Sequence, residues 1–134
     1  MPSAAVILDT NVFVAAEFNP KSASARIVEQ VRSGQLRMIW NEQTRRETQH
    51  VVSKIPPLSW SRVAELFRED DRYHRKTSPE KFDYIPDADD RKFAALSDAT
   101  GAVLITNDDH LLSNRDRARL HILTPREYWE RPQT

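Results

Sequence analysis

Residues 4–11, Ala4-Ala5-Val6-Ile7-Leu8-Asp9-Thr10-Asn11, run five apolar residues straight into a carboxylate. Much later in the chain a second stretch, Ala102-Val103-Leu104-Ile105-Thr106-Asn107-Asp108-Asp109, follows four apolar residues with a polar turn that carries two carboxylates. Short apolar runs that end in polar turns read as strands buried on both faces, the kind found in parallel sheets covered by helices. In an open sheet of that type the carboxyl ends of the strands share one edge, and ligands bind there where the strand order reverses. Asp9 and Asp108 are therefore expected to be neighbours, in a site suited to a divalent metal and a phosphorylated substrate.

The rest of the chain alternates helical and extended patterns around these two strands. Val12 to Glu17 reads as a helical turn, and Ser22 or Ser24 caps a helix bearing Ile27, Val28 and Val31 that stops at Gly34. Leu36 to Trp40 is a short strand. Asn41 then caps a helix running toward Ile55, where Pro56-Pro57 ends it. Ser59 or Ser61 starts another, with Val63, Leu66 and Phe67 as its apolar face and Glu69 to Lys76 outside. Residues 77–86 form an irregular connection. From Asp87 a helix carries Phe93, Ala94, Ala95 and Leu96 to Gly101, a residue type suited to a helix stop. His110-Leu111-Leu112 suggests a short helix, Leu120 to Leu123 a strand, and Pro125 to Trp129 a final helical turn. The order β-α-α-β-α-α-α-β-α-β-α implies an α/β sheet flanked by helices, not a bundle or a β-sandwich.

With 134 residues, the chain is expected to form one domain, 1–134. The absence of cysteine excludes disulfides, thiolate metal sites and a cysteine nucleophile. The longest apolar runs are about five residues, against roughly twenty for a membrane span, so no membrane association is expected. Met1 to Leu8 has neither the basic start nor the long apolar centre of a signal peptide, which makes the cytoplasm the expected compartment. The formal net charge is zero, but the charge is polarised. Residues 19–54 carry seven Lys or Arg against three Glu, whereas residues 80–109 carry eight Asp or Glu against three basic residues. Arg outnumbers Lys fifteen to five, which favours bidentate phosphate contacts.

The acidic residues sort by position. Asp9 and Asp108 lie just beyond strands, Glu47 lies inside a helix, and Asp87, Asp89 and Asp90 crowd the start of another. Each has an ordinary use on its own: Asp9 as a cap, Asp87 as the cap after Pro86, Asp108 or Asp109 as the cap at His110, and Glu47 on a solvated face. Two carboxylates about 4 Å apart repel by roughly 4 kcal/mol at an effective dielectric near 20, so a close cluster is unfavourable without a cation. Magnesium and manganese both take oxygen ligands and would remove that cost.

Taken in order, five segments resemble the PIN-domain nucleases, especially the short bacterial and archaeal branch of toxin components from toxin–antitoxin pairs. They are Val6-Ile7-Leu8-Asp9-Thr10-Asn11-Val12; Asn41 followed by Glu47; Pro86-Asp87-Ala88-Asp89-Asp90-Arg91-Lys92-Phe93; Val103-Leu104-Ile105-Thr106-Asn107-Asp108 with Leu111-Leu112; and Ile122-Leu123-Thr124-Pro125-Arg126-Glu127-Tyr128. The resemblance implies a three-layer α/β/α sandwich with a mainly parallel central sheet. It makes Asp9, Glu47, Asp90 and Asp108 the catalytic, metal-binding quartet for Mg2+ or Mn2+, with Asp87 a candidate outer contributor. Thr10, Asn11 and Thr106 match polar positions that orient the carboxylates. The implied reaction is metal-dependent hydrolysis of single-stranded RNA, and the implied partners are an antitoxin protein and a second copy in a homodimer.

The chain departs from the family pattern in three places. Asn107 stands where Gly is frequent, Asn41 stands where Ser or Thr is frequent, and Arg45, Arg46 and His50 surround Glu47 where apolar neighbours are common. Arg45, Arg46 and the basic residues from Arg115 to Arg119 are candidate phosphate contacts. Two other functions fit parts of the sequence. A catalytically inactive module would keep the fold and bind RNA or a protein partner. An aspartyl phosphotransferase would use Asp9 as nucleophile, but such enzymes place a second Asp two residues on, where this chain has Asn11. His50, His74, His110 and His121 lack zinc-ligand spacing and are read as surface or packing residues, and no Gly-rich phosphate loop exists.

Overall fold

The computed structural model describes residues 4–56 and 58–131. Its sheet contains β1 (Ala5–Leu8), β2 (Arg37–Met38), β3 (Val103–Ile105) and β4 (Ile122–Leu123) in the order β2-β1-β3-β4, every pair parallel. Around it lie α1 (Thr10–Phe18), α2 (Ala23–Ser33), α3 (Glu42–Val52), α4 (Trp60–Ala64), α5 (Ala88–Thr100), α6 (Asp109–Ser113), α7 (Arg115–Ala118) and α8 (Pro125–Glu130). Single 3-10 turns occupy Glu69–Asp71 and Pro79–Phe82. The fold is thus α/β with an all-parallel sheet flanked by helices, as the sequence implies. Among the described residues no helix is long and apolar enough to cross a membrane.

Alternation along the strands builds two cores. Val6, Leu8 and Ile105 pack on one face with Val12, Phe13, Ile27 and Val31 from α1 and α2. Ile7, Leu104 and Ile122 pack on the other with Phe93 and Leu96 from α5 and Leu111 from α6. Burying each such side chain contributes about 1.5–3 kcal/mol, so the short strands hold together through their faces more than through their few ladder bonds.

Helix limits follow local chemistry where the caps are strong. The Ser22 hydroxyl accepts from the Ala25 amide at 3.1 Å, leaving Ser24 buried within α2. Asn41 and Thr44 cap α3 reciprocally. Gly34 and Gly101 end α2 and α5 with φ of +86° and +76°, the left-handed region that costs glycine little. Asp87 caps α5 and Asp108 caps α6, with Asp109 as the first helical residue.

Tertiary contacts override the sequence reading elsewhere. The strand expected over Leu36 to Trp40 keeps its ladder only at Arg37–Met38, because Trp40 leaves β1 and bridges to Arg72. The helix expected to carry Leu66 and Phe67 ends at Ala64. Beyond it, the Arg68 guanidinium donates to the Val31 and Arg32 carbonyls at 2.6 and 2.9 Å, while the Arg68 carbonyl accepts from Trp40 Nε1 at 2.7 Å. These bonds pin the chain across α2 and bring Phe67 among Phe13, Trp40 and Trp60. α3 stops at Val52, short of Ile55; Pro57, half of the expected Pro56-Pro57 stop, lies outside the described residues. α7 was not anticipated by the sequence pattern, and residues 77–86 contain the turn that buries Phe82.

Candidate metal centre

Strand order reverses between β1 and β3: the chain moves from β1 outward to β2, then crosses back to β3 on the other side of β1. Their register pairs Leu8 with Ile105, so both strands finish at the same level. The Asp9 amide donates to the Ile105 carbonyl at 3.0 Å and closes the ladder there. Beyond that bond the two acid-bearing turns meet at a topological switch point.

Thr106 ties them together. Its hydroxyl, fully buried, donates to Asp9 Oδ2 at 2.6 Å and accepts from the Asp108 amide at 2.9 Å. Asp9 Oδ1 accepts from the Thr10 amide at 2.7 Å, so both oxygens of this buried carboxylate are fixed. Asp108 Oδ1 accepts from the His110 and Leu111 amides at 2.7 and 3.4 Å. Asp90, in the first turn of α5, comes in from the helix side with 7% exposure, and its Oδ2 is buried without a hydrogen-bond partner.

Such a cluster resists ionisation. Burial raises the Asp9 carboxyl to about 6, against the lowering effect of the Thr106 and Thr10 bonds and with the Asp108 and Glu47 charges adding to the rise. Burial also raises Asp90 to about 8, helped by the charges of Asp108, Asp9 and Asp87. A buried, partnerless oxygen among mutually repelling carboxylates is the environment that a hard divalent cation relieves, and an all-oxygen donor set suits magnesium or manganese. The residues present therefore fit such an ion.

Glu47 lies close enough for its charge to act on Asp9, but its own contact is an ion pair with Lys92 Nζ at 3.3 Å; Lys92 also lies 3.6 Å from Asp89. The structure thus gathers Asp9, Asp90 and Asp108 and sets Glu47 beside them behind a lysine. Asp87 is exposed and spends an oxygen on the Asp89 amide. The Thr10 hydroxyl meets that of Thr48 at 3.0 Å, joining α1 to α3, while Asn11 is exposed. Several arginines read as phosphate contacts are engaged within the chain: Arg45 lies over Trp60, Arg46 pairs with Glu42, Arg115 with Glu127, and Arg117 lies over Tyr84.

Sequence reasoning missed two neighbours of the acids. His110 Nδ1 lies 3.8 Å from Asp90 Oδ2 and 3.9 Å from Asp108 Oδ1. Its place two residues after Asp108, at the start of α6, was the available signal. Lys92 reaches Glu47 across 45 positions, and no local pattern marks that pair.

A family model described as PIN domain matches residues 5–110. The structure of FitAB bound to an IR36 DNA fragment shares the fold, with a TM-score of 0.61 and 14% identity over 96% of this chain and 98% of that one. PAE2754 from Pyrobaculum aerophilum is similar at a TM-score of 0.44 and 14% identity, over 84% of this chain and 86% of that one. No curated protein matches the sequence.

Proposed function

The chain belongs to the PIN-domain family, and from that premise we propose that it is a metal-dependent endoribonuclease, cutting single-stranded RNA as the toxin of a toxin–antitoxin pair. One observation carries the reading: Asp9, Asp90 and Asp108 converge at the switch point with Asp90 Oδ2 buried and unpartnered. Asp9, Asp90 and Asp108 hold Mg2+ or Mn2+, and Glu47 completes the quartet, with Lys92 setting its position. The bound ion supplies positive charge for displacement at phosphorus. Thr106 holds Asp9 and the Asp108 backbone in fixed relation, so the carboxylates need little rearrangement when the ion and RNA arrive.

Support for the toxin role comes from the ordered motifs in the sequence. The family resemblance they carry implies a homodimer neutralised by an antitoxin protein that covers the acidic groove. A monomer by light scattering would contradict the dimer, and the absence of a neutralising partner on co-purification would contradict the antitoxin.

The test is incubation of purified protein with a mixed single-stranded RNA pool in magnesium, manganese or chelator, beside Asp108→Asn. Metal-dependent cutting that disappears in the variant is expected. Identical products from both proteins would assign the cutting to a contaminant. No cutting with any metal would instead support a PIN-fold module that binds RNA or protein without cleaving it.

A further inference from the structure

We propose that His110 supplies a nitrogen ligand to the ion held by Asp90 and Asp108, so that the centre prefers manganese and later first-row ions to magnesium. This rests on the reading of the acidic cluster as a metal centre. Asp90, Asp108 and His110 each offer one ligand atom, and these atoms all lie within 4.8 Å of one another. Ligand atoms about 2.1 Å from a shared ion stand roughly 3 Å apart at right angles and about 4.2 Å apart across it. The separations of His110 Nδ1 from the two carboxylate oxygens, 3.8 and 3.9 Å, fall between those limits.

The second, independent observation is Asp90 Oδ2, the very oxygen that faces the ring. It is buried and unpartnered, and a shared cation would satisfy it. Local structure fixes the backbone that carries the imidazole beside that point. The His110 amide donates to Asp108 Oδ1 at 2.7 Å and its carbonyl accepts from Asn114 Nδ2 at 2.7 Å, which anchors the backbone on both sides. The side chain itself is 53% exposed, so the ring can close on an ion without repacking the core. Magnesium takes oxygen almost exclusively, whereas imidazole binds more strongly along the manganese-to-zinc series. One histidine among the carboxylates therefore changes which ion the centre selects.

The test uses Mn2+ as the spectroscopic probe and compares it with Mg2+ by calorimetry. Pulsed electron paramagnetic resonance of the Mn2+-loaded protein should show nitrogen modulation that is absent in His110→Ala. Calorimetric titration should show Mn2+ affinity reduced at least about tenfold in that variant, as loss of even an outer partner of a metal site does, with Mg2+ affinity unchanged. Circular dichroism should report the same fold for His110→Ala and His110→Gln. Asp108→Asn should abolish Mn2+ binding, which locates the ion.

Binding that is lost in Asp108→Asn but shows no nitrogen modulation would overturn the role of His110 and leave the carboxylate centre standing. Equal loss of Mn2+ and Mg2+ affinity in His110→Ala would do the same. No Mn2+ binding by the unaltered protein, or binding unaffected by Asp108→Asn, would overturn both readings.

Discussion

At the scale of single residues, Thr106 has the most exacting position in the molecule. One buried hydroxyl donates to Asp9 and accepts from the Asp108 amide, so it sets the spacing between the two acid-bearing turns that follow the paired strands β1 and β3. Thr106→Val keeps the shape and removes both bonds. It leaves a buried carboxylate oxygen and a partly buried amide without partners, each costing on the order of 1–3 kcal/mol. It also lifts Asp9 above about 6, because the Thr106 bond is the largest influence holding that carboxyl down. The expected result is a Mn2+ affinity 10–100-fold weaker at pH 7 with cooperative unfolding retained, and recovery in Thr106→Ser. Titration calorimetry on the three proteins checks it; unchanged affinity in Thr106→Val would remove Thr106 from the site. Asp9 and Asp108 were legible in the sequence because each ends an apolar run. His110 and Lys92 were not, because α6 is too short to show a period and Lys92 meets Glu47 only through the packing of α5 on α3.

At the scale of elements, α3 depends on Asn41, the residue that caps its start. Its buried side is merely Thr44, Thr48 and Val52, a thin apolar stripe for a helix that must present Glu47 to the site. The reciprocal bonds between Asn41 and Thr44, at 3.0 and 3.1 Å, therefore hold much of its start. Asn41→Ala should cost about 1 kcal/mol, and Asn41→Ser should recover most of it. In thermal unfolding that is a fall of roughly 3–5 °C for a chain of this size; no change in Asn41→Ala would mean that Thr48 and Val52 alone anchor the helix. The same contrast explains which elements the sequence revealed. α2, α3, α5 and α8 begin or end on a capping residue or a left-handed glycine and were read close to their true limits. α4 stops where Arg68 binds carbonyls of α2, and the strand at residues 36–40 shortens where Trp40 turns to Arg72. Those partners are more than thirty residues away, beyond the reach of periodicity.

At the scale of the whole molecule, the site makes stability depend on pH in a direction set by its raised carboxyls. The net charge is zero near neutrality, so long-range repulsion contributes little there and local groups govern. Asp9 and Asp90 rise from 3.8 to about 6 and about 8. Between the ordinary value and each raised one, the folded chain binds more protons than the unfolded chain. Their stabilisation is thus complete below about pH 4 and is lost as pH climbs to about 6 for Asp9 and about 8 for Asp90. For Asp9 the rise from 3.8 to about 6, at 1.36 kcal/mol per pKa unit, makes the loss about 3 kcal/mol. Glu127 works in the opposite sense: bonds from the Thr124 amide and Arg115 lower it from 4.5, so its contribution disappears only in stronger acid. Metal-free protein should therefore unfold at higher urea at pH 5 than at pH 8. A cation that needs deprotonated ligands should oppose this, adding about 2.7 kcal/mol at a hundredfold excess over its dissociation constant at pH 8 and little at pH 5, and so narrowing the gap. Asp90→Asn should flatten the metal-free profile, stabilise the protein at pH 8 and abolish the response to metal. Urea unfolding across pH 5–9, with and without Mn2+, measures all three. A metal-free profile that rises with pH, or one that Asp90→Asn leaves steep, would mean that the buried carboxyls do not carry the strain that makes this site receptive to an ion.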